Sequence, residues 1–92
     1  MIQIDTKKHE VRIDGRDAEL TPTEFDLLVA LRDRRGALMD YNELLRLRGD
    51  GANRLTTQTL SQHVARLRRK LGKHRGIIKT VFCRGYRFNA RA

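Results

Sequence analysis

The chain has 92 residues, a formal net charge of +9 and a single cysteine, Cys83. This length predicts one small domain, residues 1–92. One cysteine excludes an internal disulfide, which fits a reducing cytoplasm. No apolar run approaches the roughly 18 residues that a membrane span requires, and the first residues lack a secretory signal. We therefore expect a cytoplasmic domain that does not contact a membrane.

The basic residues are concentrated in the second half of the chain. Residues 1–39 hold seven Lys and Arg against eight Asp and Glu, whereas residues 40–92 hold thirteen against three. After Asp50 there are eleven basic residues and no acidic one. A solubility surface usually mixes both signs, because like charges repel one another in a compact fold. The distribution predicts a polyanionic partner, with nucleic acid favoured over an anionic membrane surface or no partner.

Alternating apolar residues predict a small antiparallel β meander in residues 1–20. Apolar residues alternate with polar ones at 2–4 and at 11–13, and Asp14-Gly15 is a turn signal between apolar segments. We predict strands at about residues 2–5, 10–13 and 16–20.

Two helices are predicted from capping boxes, in which a capping side chain is followed three residues later by glutamate. Thr21 and Glu24 begin the first helix, which ends before Gly36. Asp40 and Glu43 begin a short second helix, which is followed by the glycine-containing segment RGDGAN at 48–53, a predicted loop. The apolar residues of the two helices are Phe25, Leu27, Leu28, Leu31, Leu44, Leu45 and Leu47.

A third helix is predicted at about residues 56–71 and ends at Gly72. Its apolar positions share one stripe at 100° per residue, and this stripe should face the core: Leu60, Val64, Leu67 and Leu71. The opposite side is polar and basic, with Gln58, Gln62, Ala65 and Arg69 at its centre and Thr59 and Arg66 beside them.

The C-terminal segment predicts a β-hairpin at roughly 77–82 and 85–89, with Tyr86 and Phe88 in the core. The predicted fold class is therefore α+β. A short N-terminal antiparallel sheet (1–20) precedes a three-helix core (22–72) and a C-terminal hairpin wing (77–89), which is the arrangement of a winged helix-turn-helix.

The outer face of the third helix is the candidate DNA-binding surface. An α-helix fits the major groove, where Arg66 could bind guanine and Gln62 could bind adenine in bidentate fashion. Arg68, Arg69 and Lys70 are expected to meet phosphates, which position a protein without reading sequence. The alternative is a solvated helix face. It is disfavoured because this face has no acidic residue to form intrahelical pairs.

The wing supplies further candidates. An arginine at a hairpin tip, Arg84, could enter a narrow minor groove, which attracts positive charge; the alternative is a solvated tip residue. Thr80 could bind a phosphate, although a threonine in a strand more often only packs in the sheet.

Three segments together resemble the OmpR/PhoB-type C-terminal effector domain of bacterial response regulators: LTPTEFDLLVAL, LSQHVARLRRKLG and IIKTVFCRGYRF, within about residues 3–89. The resemblance implies that the helix from Thr56 is the recognition helix, with DNA contacts at Thr59, Gln62, Arg66, Arg68 and the wing. It implies tandem copies on DNA and, in activators, an RNA polymerase contact through the loop 46–54. It also implies a four-stranded N-terminal sheet, for which residues 6–8 and 37–39 are the candidate fourth strands.

The sequence departs from the family pattern at three places. Gln58 stands where many members have arginine, and Gly49 stands where many have tryptophan. The wing reads FCRGY where many read RGxGY, so that its arginine is Arg84. The phosphorylatable receiver domain of two-component systems is not among these 92 residues.

No other site is predicted. The three histidines and Cys83 lack zinc-ligand spacing, and His63 is interpreted as a packed or phosphate-bonding residue. Cys83 is either a redox-sensing thiol beside Arg84 or, as favoured, an incidental turn residue. No catalytic arrangement or cofactor motif is present, so no enzyme activity is expected. We expect sequence-specific binding of double-stranded DNA by a transcription regulator. The alternatives are a protein-interaction adaptor that contacts RNA polymerase or another regulator and, more weakly, a binder of structured RNA.

Overall fold

Two small sheets and three α-helices make up the described part of the chain, residues 1–48 and 54–89 of a computed structural model. The elements are β1 (Ile2–Asp5), β2 (Glu10–Ile13), β3 (Arg16–Asp17), α1 (Pro22–Asp33), β4 (Met39–Asp40), α2 (Tyr41–Leu45), α3 (Thr57–Leu71), β5 (Ile78–Val81) and β6 (Gly85–Phe88). Short 3-10 segments follow α2 at Arg46–Arg48 and α3 at Gly72–Ile77. The predicted α+β class and the order of sheet, helices and hairpin are confirmed.

The N-terminal sheet is antiparallel in the order β1-β2-β3. Its third strand is shorter than the predicted 16–20, because the Asp17 carboxylate accepts the Glu19 N–H at 2.8 Å and Glu19 has a φ of 53°. The Ala18 N–H still donates to the Val11 carbonyl at 2.8 Å, and the turn takes residues 19–20 away from β2. Residues 6–8 are not a strand, since the N–H groups of Lys7 and Lys8 donate to the Asp5 carboxylate at 3.0 and 3.1 Å and close a turn.

The other candidate fourth strand exists but belongs to a different sheet. β4 pairs antiparallel with β6, with Met39 opposite Tyr86, and the second sheet has the order β4-β6-β5. A four-stranded N-terminal sheet was therefore a wrong expectation within the described residues. The short link between α1 and α2 extends the hairpin instead, so that the wing is tied to the helical core.

Capping residues set the helix starts, as predicted. Thr21 and Glu24 form a reciprocal pair at α1, and Asp40 and Glu43 do the same at α2. α2 is a single short helix that ends at Leu45, and residues 49–53 of the predicted loop lie outside the described residues. No helix in the described ranges is long and apolar enough to cross a membrane.

The core lies between α1, α3 and the second sheet. The predicted stripe of α3 and the apolar residues Phe25, Leu27, Leu28 and Leu31 of α1 are buried, and Tyr86 closes the core from the hairpin with 6% exposure. Phe88 is partly buried and packs against the same cluster. The fully buried leucines of α1 and α3 are Leu27, Leu28, Leu31, Leu60, Leu67 and Leu71. Their burial holds α3 so that its opposite face points outward.

Candidate nucleic-acid interface

The outward face of α3 carries exposed polar and basic side chains. Gln58, Gln62, Arg66 and Arg69 are all exposed, and so is the small Ala65 between them. These residues lie opposite the buried stripe because both sets follow the 3.6-residue period. The structure therefore brings together four of the predicted contact residues on one accessible helix face. Their contact with DNA stays a prediction.

Thr59, another predicted contact, is part of the cap of α3. Its hydroxyl accepts the Thr56 N–H at 2.8 Å and donates to the Thr56 carbonyl at 3.1 Å, while the Thr59 N–H donates to the Thr56 hydroxyl at 3.2 Å. The hydroxyl is thus occupied as donor and acceptor. This reciprocal bonding satisfies backbone groups that a helix start leaves without partners.

Arg68 connects α3 to the hairpin. Its Nε and Nη2 donate to the Ile78 carbonyl at 3.1 and 2.7 Å, and Nη2 also donates to the Thr80 hydroxyl at 2.7 Å. The guanidinium lies 5.6 Å from the centre of the Tyr86 ring, within cation–π range. Arg68 therefore fixes the wing relative to α3. These bonds leave Nη1 as the part of the side chain that could meet a phosphate.

Lys70 does not join the outer face. Its Nζ donates to the Glu24 carboxylate at 2.7 Å and to the Glu19 carbonyl at 3.0 Å. Burial would raise the pKa of Glu24, whose side chain is 1% exposed, but the bonds from Lys70 and Thr21 outweigh it and hold that pKa below its ordinary value. Lys70 thus ties the end of α3 to the start of α1.

The wing tip is exposed and held by backbone bonds. The turn between β5 and β6 contains Phe82, Cys83 and Arg84, all exposed, and Cys83 has a φ of 59°. The Arg84 N–H donates to the Val81 carbonyl at 3.0 Å, and the Tyr41 N–H donates to the Arg84 carbonyl at 3.2 Å. The second bond anchors the tip to the start of α2.

An ion cluster beside the C-terminal end of α3 was not predicted from the sequence. The Asp14 carboxylate, in the turn between β2 and β3, pairs with the Met1 amino group, with His74 at 3.0 Å and with Lys73 at 3.4 Å. The Met1 and His74 bonds lower the pKa of Asp14 below its ordinary value. The cluster joins the N-terminal sheet to the residues after α3. Asp14 and His74 are 60 positions apart, so no local sequence pattern indicates that they pair, and the same holds for Glu24 and Lys70.

The remaining candidates stand apart from this interface. Residues 1–48 and 54–89 contain no group of three His, Cys, Asp or Glu side chains placed to hold a metal ion. His63 is partly buried, and its Nδ1 is a buried atom with no hydrogen-bond partner among the described residues. The Cys83 thiol is free and exposed.

A pair of helices packed on the core, a third helix with an exposed basic face and a hairpin clamped beside it define a winged helix-turn-helix domain. Comparison with known proteins specifies it further. The model of the family described as "Transcriptional regulatory protein, C terminal" matches residues 15–88, and the chain belongs to this family, the OmpR/PhoB-type effector domains of response regulators.

Relatives of this chain include two bacterial transcription regulators. It is 32% identical over 90 residues to the phosphate regulon transcriptional regulatory protein PhoB of Pseudomonas aeruginosa, covering 97% of this chain and 39% of the relative. It is 37% identical over 89 residues to the transcriptional regulatory protein CseB of Streptomyces coelicolor, covering 97% and 37%. The chain thus spans less than two fifths of the length of these relatives.

Similar solved structures are DNA-binding domains. That of the response regulator AdeR, in complex with an intercistronic region, has a TM-score of 0.82 at 28% identity, covering 96% of this chain and 93% of that one. That of Klebsiella pneumoniae RstA, in complex with the RstA box, has a TM-score of 0.79 at 31% identity, covering 95% and 89%.

Proposed function

We propose that this chain binds double-stranded DNA in a sequence-specific manner, as the effector domain of a bacterial transcription regulator. The observation that carries this proposal is the exposed basic face of α3 beside an exposed wing that also carries arginine. A helix with such a face fits the major groove. The absence of acidic residues after Asp50 favours approach to a polyanion. The similarity to AdeR and RstA domains bound to DNA supports the same function.

The exposed residues take different roles in this proposal. Gln62 and Arg66 read base edges, because the earlier residues of a recognition helix reach the bases of the major groove. Arg69 lies in the last turn of α3 and holds the DNA backbone. Gln58 lies one turn before Gln62 on the same face. Arg84 reaches the adjacent minor groove. Arg68 and Thr80 set the position of the wing, and Lys70 and Thr59 stabilise the two ends of α3 through their bonds within the protein.

At the level of the whole chain, we propose that residues 1–92 act as one cytoplasmic DNA-binding unit without enzymatic activity. Tandem binding of two copies on DNA and an RNA polymerase contact through the loop 46–54 extend the proposal. Both are supported by family membership alone. The structure adds nothing on the polymerase contact, because residues 49–53 of that loop are outside the described residues. A general protein-interaction adaptor is disfavoured. Among the described residues, the large apolar side chains that are exposed are Met1 and Phe82, which is too little for an extended apolar patch.

The test begins with selection of bound duplexes from a random 30-base-pair pool, followed by affinity measurements on the selected and a scrambled duplex across a salt series. We expect a sequence preference and a steep loss of affinity with salt, since phosphate contacts release counterions. Arg66→Ala should cost about 1–3 kcal/mol on the selected duplex and flatten the preference.

Arg69→Ala is the matched control on the same helix face. It should weaken binding to both duplexes alike and reduce the salt slope by about one, as expected for a lost phosphate contact. Equal binding to all duplexes, unaltered by Arg66→Ala, would contradict sequence-specific recognition.

A further inference from the structure

We propose that Phe82 is a second wing contact, whose ring enters the DNA minor groove beside Arg84 and makes the chain sensitive to the shape of that groove. This inference rests on the proposed function and names a specificity-determining residue within it. Phe82 was not among the residues predicted to touch DNA.

The first observation is the exposure of the ring. The Phe82 residue is 87% exposed, whereas Phe25 is 5% exposed and packs in the core and Phe88 is partly buried against it. Leaving a phenyl ring in water forgoes the free energy that its burial would contribute. An exposed phenylalanine therefore contributes little to the fold, and its apolar area remains available for a partner.

The second observation is that the ring is carried by a held turn. The Val81 carbonyl and the Tyr41 N–H fix the backbone of Arg84 on both sides, and Arg68 clamps the preceding strand through Ile78 and Thr80. A side chain on such a support loses little conformational freedom on binding beyond its own rotamers. Phe82 is thus an exposed side chain on a turn whose backbone is held in place.

The third observation is the charge around the ring. The hairpin carries Lys79, Arg84 and Arg87 and no acidic residue of its own. Asp40 of β4 lies opposite Gly85, but its carboxylate caps α2 by accepting the Glu43 N–H at 2.9 Å, so that positive charge exceeds negative charge at the tip. A basic surround favours a polyanion over an apolar protein groove as the partner of the tip. Apolar side chains, phenylalanine among them, enter minor grooves and wedge against base steps. Arg84 beside the ring would be drawn to the negative potential of the same groove.

The experiment uses the whole chain and the duplex selected from the random pool. Phe82→Ser removes the apolar ring, Phe82→Leu keeps an apolar side chain, and Cys83→Ser is the control at the neighbouring exposed position. We expect about tenfold weaker binding for Phe82→Ser, a smaller loss for Phe82→Leu and none for Cys83→Ser. The melting temperatures should be unchanged, since the ring is exposed.

Two further readouts separate groove insertion from other causes. The salt slope of Phe82→Ser should equal that of the wild type, because an apolar contact neutralises no phosphate, whereas Arg84→Ala should lower it by about one. Replacing adenine by 2,6-diaminopurine places an amino group in the minor groove. At positions under the wing it should weaken the wild type more than Phe82→Ser.

Equal affinity and equal diaminopurine sensitivity of wild type and Phe82→Ser would overturn the inference while leaving the proposed function intact. A loss confined to duplexes that hold two copies would also overturn it, because the ring would then contact the neighbouring protein. Failure of the wild type to select any duplex would instead overturn the proposed function, and this inference with it.

Discussion

At Gly85, the first residue of β6, a single added methyl group would collide with the neighbouring strand. A Cβ there would lie 2.9 Å from the Asp40 Cα and 3.0 Å from the Met39 carbonyl carbon, closer than such atoms approach one another. Its φ of 155° is also rare for residues with a side chain. The close approach of β4 and β6 therefore depends on glycine at this position.

We predict that Gly85→Ala lowers the free energy of unfolding by about 3 kcal/mol, because the collision involves backbone atoms that cannot move independently. Chemical denaturation monitored by circular dichroism measures it. Gly15→Ala is the control: Gly15 has a φ of 86° but nothing within 4 Å of the added methyl. It should cost only about 1 kcal/mol of backbone strain. Equal losses for the two variants would refute the close-approach explanation.

The exposed residues of α3 were predictable one by one, but the partners of Arg68 were not. Gln62, Arg66 and Arg69 lie on the outer face because the helical period and the leucine stripe place them there. The acceptors of Arg68 are on β5, in a separate element, and the helical period does not say which neighbouring element a side chain meets. The sequence therefore predicted a phosphate contact for Arg68 and gave no sign of its bonds to the hairpin.

At the level of elements, the spatial relation of α3 to the wing depends on that clamp. We predict that Arg68→Lys lowers the free energy of unfolding by about 1 kcal/mol, since one ammonium group cannot replace the planar donor set or its position over Tyr86. It should also accelerate amide hydrogen exchange in β5 and β6 and weaken DNA binding.

Arg69→Lys is the control for this substitution, because Arg69 is an exposed arginine on the same helix. Hydrogen exchange in the hairpin should be unaffected by it. If Arg68→Lys likewise leaves hairpin exchange at the wild-type rate, Arg68 does not clamp the wing.

The boundaries of helices and strands were predictable where neighbouring residues set them and not where a distant segment did. Each of the three helices starts at a capping pair whose two residues are three positions apart. The pairs at α1 and α2 are those that the sequence predicts, and α3 has a similar reciprocal pair, Thr56 and Thr59. The placement of β4 was not predictable, because its partner β6 lies more than forty residues further along the chain. Local hydrogen bonding to Asp17 also ended β3 before the predicted residue 20, and bonding to Asp5 made a turn of residues 6–8, which were a candidate fourth strand.

At the level of the whole molecule, the ion pair between Glu24 and Lys70 links stability to pH. The pKa of Glu24 is lower in the folded protein than the value of about 4.3 expected when unfolded. Its contribution is therefore fully present above that unfolded pKa and is lost as the pH falls through the folded pKa. We predict that Glu24→Gln reduces the fall in unfolding free energy between neutral and acidic pH, measured by denaturation at a series of pH values.

Glu19→Gln is the control, because the Glu19 side chain is exposed and Lys70 contacts only its backbone carbonyl. It should leave the acid-induced loss close to that of the wild type. An unchanged pH profile for Glu24→Gln would show that the pair does not couple folding to protonation.

The sequence by itself determined the class of this protein. An α+β winged helix with a basic outer face was predicted from capping pairs, apolar helix positions, turn signals and the lack of acidic residues after Asp50. Each of these signals can be found in a few neighbouring residues or in the composition of a segment. Only the tertiary structure decided which basic residues remain free. Packing turns Arg68 to the hairpin and Lys70 to a buried glutamate, and leaves Arg66, Arg69 and the Phe82 ring exposed. That sorting depends on residues far apart in the chain, whose proximity is set by the folded core.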